Sequence, residues 1–398
     1  MKRGALFFVP LIFSFYSYAN VTDVDISGKI EVQNRYYFSE GKFPNQDYKN
    51  LTSFAIQPEF YWEWNNAKDS LIFKPFYRHD QRDDERTHAD IRELLWTHIE
   101  NDWELKAGIG KVFWGVTEFQ HLVDTINQTD SVESFDGEEK LGQTMVNFSS
   151  ANDWGIIDLY VLPKFEERKY AGIDGRLRAP IVIDNDRALY ESSKRDNHVD
   201  YAVRWSHSID VFDIGVHWFK GTNREPIISD NFKTSDNEYI AFYEQIEQFG
   251  VDAQATVDQW LWKFEAMSRD GIEETFLAAQ AGFEYSFFGV GDSDLDVGLL
   301  LEYGWDERGE QATSASQNDV FFGTRLTFNN VESTEVLFGS GYDLDFDSYS
   351  LFIEASHRIN NHWKFVIDAR MFEASKARDP SYVIHRDDYI QVSFEYYL

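Results

Sequence analysis

Cysteine is absent from all 398 residues, which removes disulfides and thiolate chemistry. After the first twenty residues no run of about 18 apolar residues occurs, so no internal segment can cross a bilayer as a helix. Positive charge is scarce. Lys and Arg number 37 against 69 Asp and Glu, a formal net charge of −32. Acid this dense repels nucleic acid, and much of it is expected to be solvated surface. Catalytic signatures are missing too. His98, His121, His217 and His357 lack metal-ligand spacing, no Ser or His stands in a nucleophile motif, and no glycine-rich phosphate loop is found. An Asp-rich stretch at Asp343, Asp345 and Asp347 falls short of an EF-hand. No enzymatic activity, cofactor, metal or nucleic-acid partner is expected.

What is present is a beat of two. The last ten residues, Tyr389 to Leu398, put Ile390, Val392, Phe394, Tyr396 and Leu398 on one face and mostly polar groups on the other. A strand has period two, so such a segment has one oily and one wet side. The pattern repeats along the chain. Mean hydropathy is only −0.47 while aromatic content reaches 17%, which suits a barrel in which alternate residues meet lipid. The amino terminus supplies an export signal. Lys2 and Arg3 precede an apolar core from Leu6 to Tyr16, and Ser17-Tyr18-Ala19 is a small-x-small cleavage site. Residues 1–19 are therefore read as a signal peptide and 20–398 as one barrel domain.

Alternation and turn signals predict strands at 24–39, 51–65, 69–80, 88–100, 103–113, 142–150, 154–163, 198–207 and 211–221. Further strands are expected at 243–257, 260–269, 275–288, 293–306, 317–328, 333–344, 349–358, 362–373 and 387–398. The fold class is all-β, a transmembrane antiparallel barrel of about 18 strands, an even number as bacterial barrels require. Every second connection is short, and the opposite set holds all the long ones, notably 114–140 and 164–197. Tryptophan agrees with this parity. Trp62, Trp64, Trp103, Trp154, Trp205, Trp260, Trp262 and Trp363 lie near short turns, and Trp114, Trp218 and Trp305 lie towards the other strand ends. Two interfacial belts are expected.

The block Lys111-Val112-Phe113-Trp114-Gly115-Val116-Thr117-Glu118, with Leu122 to Asp130 after it, resembles a family of porin-like outer-membrane barrels without assigned function. Gly175 to Pro180, Tyr243 to Gln248 and Trp260 to Ala266 are similar to the same family. More distantly the architecture resembles alginate-export and sugar-specific porins. The resemblance implies a barrel in the cell outer membrane of a Gram-negative bacterium and carries over no substrate. Terminal Leu398 departs from the Phe or Trp that usually ends such barrels.

Function is expected on the lumen face and in the long outer loops. Lumen candidates are Arg35, Glu59, Glu63, Arg78, Lys106, Arg204, Asp252, Lys263, Glu265, Glu302, Arg325 and Arg370. The 114–140 connection is too long for a hairpin loop. Its apolar anchors Phe119, Leu122, Val123 and Ile126 leave two readings, a short helix packed inside the barrel or an exposed acidic loop. On the first, its acids Glu118, Asp124, Asp130, Glu133 and Asp136 are the pore constriction, favouring cations. The basic 164–197 connection is read either as self-paired with its own acids or as meeting lipopolysaccharide phosphates.

The reading is a passive channel for small hydrophilic solutes. Its partners are outer-membrane lipid and lipopolysaccharide, the barrel-assembly machinery and the solutes themselves. The absence of a plug-sized segment before Val24 argues against an energised transporter. The rivals are a saccharide-specific export or uptake pore, which predicts a track of lumen aromatics beyond Tyr37 and Tyr61, and a non-conducting structural or enzymatic barrel.

Overall fold

The computed structural model describes residues 23–235, 237–272, 274–313 and 317–398. The expected leader and its cleavage site lie outside them. Strands β1 (Asp23–Tyr37), β2 (Asn50–Trp64), β3 (Asp69–Asp80), β4 (His88–Ile99) and β5 (Trp103–Gly110) come first. Then follow β6 (Gln143–Asn152), β7 (Gly155–Leu162), β8 (Ile183–Tyr190), β9 (Asp200–Ile209) and β10 (Phe212–Thr222). Next are β11 (Tyr239–Tyr243), β12 (Gln245–Val257), β13 (Trp260–Asp270), β14 (Phe276–Phe287) and β15 (Asp296–Asp306). The last are β16 (Asn318–Thr327), β17 (Glu335–Asp343), β18 (Tyr349–Arg358), β19 (Trp363–Glu373) and β20 (Tyr389–Tyr397).

Eighteen of these form one antiparallel sheet in which each strand pairs with the next barrel strand. The sheet closes because β1 pairs with β2 on one side and with β20 on the other. All eighteen expected strands have a counterpart. The remaining two, β8 and β11, pair in parallel with each other within the outer loops. Sequence reading passed over them because Ile183-Asp184-Asn185-Asp186-Arg187 carries no apolar alternation.

Tight turns end the strands on one side. Asp210 and Asp258 take left-handed backbone there, with φ 56° and 53°, a conformation that Asp tolerates and that two-residue hairpin turns require. On the other side the 111–142 and 163–199 connections are the long ones. The ladder slips once, between Lys74 and Pro75 of β3, opposite Ile91 and Glu93 of β4. Pro75 has no N–H to donate, and the extra residue of the bulge is Arg92.

Register fixes the faces. In β13, Trp262 and Phe264 stand 48% and 40% exposed, while their neighbours Lys263 and Glu265 are buried. Phe283, Leu301 and Phe322 continue the oily face across neighbouring strands. An isolated barrel exposes this band only because its solvent is hydrocarbon. Trp103, Trp154 and Trp363 stand out near the short turns and Trp305 near the opposite rim. Trp114 corrects the belt expectation, because it is buried inside the barrel against His217 and Tyr160.

Phe264 lies near the middle of β13 on the oily face. Phe264→Arg is expected to lower unfolding free energy in lipid vesicles by roughly 2–4 kcal/mol. The same change at Leu337, which shares the inner face with Arg325 and Glu354, should leave the unfolding midpoint close to the parent. Equal losses at both positions would contradict the assigned faces.

Candidate functional site

Inside the closed sheet, one segment touches strands that lie far apart around the ring. The connection 111–142 bonds β13, β15 and β16, and it also bonds β3, β4 and β19. No path outside the barrel permits this, so the segment is a strap across the lumen.

Its first half lies on the β13–β16 wall. Glu265 accepts hydrogen bonds from the N–H groups of Val116 (2.6 Å), Thr117 (2.9 Å) and Val123 (3.3 Å), and from the Thr117 hydroxyl (2.7 Å). Glu302 accepts from the N–H groups of Glu118 and Phe119, and Gln280 donates to its Oε2. The Glu118 carboxylate meets Arg325 at 2.7 Å and Lys263 at 3.4 Å. Phe119 stacks on Phe321, 5.1 Å between centroids, with Phe352 at its edge. Trp114, Val123 and Ile126 pack against Met145, Tyr160, Leu162, Ala202, Phe219 and Ile246, an oily patch on the inner wall from β6 to β12. Leu122 packs against Met267, Phe276 and Ala278.

Its second half crosses to the other wall. Asp130 meets Arg92 at 2.6 Å, which the β4 bulge turns inward. Glu133 meets Arg78 at 2.8 Å, and Arg78 also reaches Glu31. Asp136 meets Arg370 at 2.6 Å, where Glu354 (2.7 Å) and Asp368 (3.2 Å) share the same guanidinium. Asp124 faces the strap itself, accepting from the N–H groups of Trp114 and Gly115.

The electrostatics follow from these partners. Burial opposes ionisation of Glu133, but Arg78 and Arg86 hold its carboxyl down at about 2. Burial works against Glu118 likewise, and Arg325 and Lys263 keep it below its ordinary range. For Asp124 and Asp130 burial wins, and both are pushed up.

The strap has no helix. It runs as irregular chain with turns and one bridge, Thr129 to Lys140, and the expected helix is thereby corrected. The reason is competition for donors. Wall carboxylates and the strap's own Asp124 and Asn127 take the N–H groups that a helix would turn to its own carbonyls.

The other lumen candidates share the inner face. Lys74 sits between Glu59 and Glu93, Glu63 accepts from the Tyr61 hydroxyl, and Lys106 pairs with Glu104. Arg204 makes a two-pronged pair with Asp252, 2.6 and 2.8 Å, and lies over the Trp114 ring. Arg35 donates to Gln391 and covers Tyr389. Sequence reasoning missed Arg92, whose only signal was Pro75 on the facing strand, and Arg224, which donates to the Ile126 carbonyl and Asp200. It also missed the inner aromatics Phe321, Phe352 and Phe372. These are covered by Phe119 and Phe135 of the strap, not laid open as a track.

Above the strap, the 163–199 connection folds over the mouth. Arg176 is buried, paired with Asp387 and donating to the carbonyls of Ser39, Tyr48 and Arg386. Lys164 and Arg187 pair with Glu166 and Asp184 of their own segment.

No protein-family model and no curated protein matches the sequence. Solved structures do match in fold. Pseudomonas aeruginosa OpdQ superposes with a TM-score of 0.52 at 12% identity, covering 94% of this chain and 97% of that one. Pseudomonas aeruginosa OccK11 (OpdR) gives 0.52 at 8% identity, covering 94% and 95%. A mutant porin of Rh. blastica gives 0.47 at 12% identity, covering 94% and 100%. The fold is that of an outer-membrane porin-like barrel.

The chain has no cysteine, so Val123→Cys makes a single reporter thiol on the buried, wall-facing side of the strap. Adding Glu265→Ala removes acceptors worth roughly 1.5–3 kcal/mol. Labelling by a water-soluble thiol reagent is expected to quicken about 10- to 100-fold. An unchanged rate would show that Glu265 does not hold the strap down.

Proposed function

We propose that the chain is a porin-like channel of a Gram-negative outer membrane, passing small hydrophilic solutes by diffusion with a preference for cations. The observation that carries this reading is the strap itself: one segment held inside a closed, charge-lined barrel by both of its halves. It narrows the lumen at a set depth without forming a separate plug domain. Below it the wall is charged and partly open, with Lys29, Lys74, Glu59 and Lys106 all partly exposed.

Cation preference follows from which charges are cancelled. Lys263, Arg325, Arg78, Arg92 and Arg370 each meet an acid of the strap. Glu265 and Glu302 spend their oxygens on neutral donors, and among the described residues neither makes an ion pair within 4 Å. Counting Asp124 with them, three acids without an ion pair stand against two such bases, Lys140 and Arg168, so the balance at the strap is negative and sorts solutes by charge. A saccharide-specific pore would require a run of open aromatic rings, whereas Phe321 and Phe372 on the inner wall are covered by the strap. Nothing in this site performs catalysis in the proposed role. Lipid meets the oily band, the assembly machinery inserts it, and exposed Lys194 and Arg195 remain at the rim for lipopolysaccharide phosphates.

Purified protein in planar bilayers is expected to give discrete conductance steps with reversal potentials showing cation preference. Deleting 114–140 should raise the single-channel conductance and weaken the preference. A protein that inserts but never conducts would overturn the channel reading, and anion preference would overturn the charge argument.

A further inference from the structure

The second half of the strap meets a histidine that the channel reading leaves unused. His88 begins β4, where Arg78 of β3 is its ladder partner, and its ring packs on Phe76 at 5.5 Å. Its Nδ1 lies 3.0 Å from the Arg86 carbonyl oxygen. A carbonyl can only accept, so Nδ1 carries a hydrogen and Nε2 is the nitrogen left to take up a proton. That nitrogen stands 3.9 Å from Asp130 and 3.8 Å from Glu133, both on the strap.

The bases around this contact are paired. Arg78 holds Glu133 at 2.8 Å and reaches Glu31 at 3.2 Å. Arg92 holds Asp130 at 2.6 Å and meets Asp90 at 3.3 Å, and Arg86 holds Asp80 at 2.7 Å. The histidine contact is not satisfied in this way. Among the described residues, His88 Nε2 and, on the strap, Asp130 Oδ1 are buried with no hydrogen-bond partner. While Nε2 is bare, a lone pair faces two carboxylates. A proton turns the same contact into a cation between two anions, and a closure of about 1 Å makes it a charge-assisted hydrogen bond.

We propose that His88 is a proton-dependent positioning residue, which on protonation at Nε2 clasps Asp130 and Glu133 and holds the second half of the strap more firmly to the β3–β4 wall. This concerns how the strap is anchored and stands apart from what passes it. The aperture neither opens nor closes. An imidazole takes up its proton between about pH 5 and pH 8. Glu133 stays ionised across that span, because Arg78 and Arg86 overcome its burial and hold its carboxyl at about 2. Anchoring is therefore gained as pH falls through the imidazole range and lost as it rises. Asp130 competes for the proton, since burial pushes its carboxyl up against the pull of Arg92. A proton there would discharge the Arg92 pair and loosen the strap, so the two sites give opposite signs.

Val132 is buried beside Glu133 on the strap, so Val132→Cys places a single thiol next to the clasp. The test labels it with a water-soluble thiol reagent in the full mature chain refolded in detergent, at about pH 6 and about pH 8. Each rate is normalised to that of the same thiol in the urea-unfolded chain at the same pH, which removes the thiolate fraction. The normalised rate is expected to fall from the higher pH to the lower. Adding His88→Gln should quicken labelling about 10-fold at the lower pH and less than about 2-fold at the higher. A Val123→Cys thiol, on the other half of the strap, should not respond to His88→Gln at either pH. Equal quickening at both pH values would make His88 a mere filler and overturn the clasp. A normalised rate in the parent reporter that is flat, or that rises towards the lower pH as protonation of Asp130 requires, would overturn it without recourse to the variant.

Discussion

A peptide N–H in hydrocarbon finds no water, so it must be bonded to a neighbouring strand all the way round the ring. That requirement closes β1 onto β20 and leaves no edge. Once the sheet is closed, a period of two does the rest, because each strand must send alternate side chains to lipid and to the lumen. Trp262 and Phe264 go out while Lys263 and Glu265 go in. The formal charge of −32 can belong to a membrane protein because much of it faces an aqueous interior or the outer loops.

The same requirement acts on the strap, where no neighbouring strand is at hand. Its N–H groups are nevertheless out of bulk water, and wall carboxylates take the place of a ladder. Glu265 collects three N–H groups and a hydroxyl, and Glu302 collects two N–H groups. Hydrogen bonds to a charged acceptor are about twice as strong as neutral ones. An acid-rich lumen is thus partly a set of backbone acceptors for the segment that crosses it. This is also why an apolar spacing that suggests a helix yields irregular chain: the acceptors lie on the wall, outside the segment.

Strand number, the parity of long and short connections and the inward set were legible because each depends on local alternation that lipid on one side enforces. Lys263, Glu265, Glu302 and Arg325 follow from that beat alone. What could not be read is whatever depends on contacts across the ring. Trp114 sits at a strand end, where an interfacial indole is expected, yet it is drawn inward by His217, Tyr160 and Arg204 from strands distant in sequence. Arg92 needs the bulge that Pro75 provokes on another strand. The β8–β11 ladder packs an oily face against Phe165 and Tyr170, but the polar run Asp184 to Arg187 in β8 breaks the alternation that would announce it.

The manner in which the strap is held bears on whether it moves. A buried ion pair adds little net stability over an apolar pair, but removing one partner leaves the other charge stranded. The strap has ion pairs on β3, β4, β13, β16 and β19, those on β3 and β4 buried on both sides, besides the Glu265 and Glu302 bonds and the oily patch beneath Trp114. Lids that open in ordinary function are tethered by few buried contacts. Here, opening would strand several charges at once on opposite walls. The geometry is that of a fixed aperture, which fits the channel proposed above, its selectivity set by the residual charge of Glu265 and Glu302 and not by a gate.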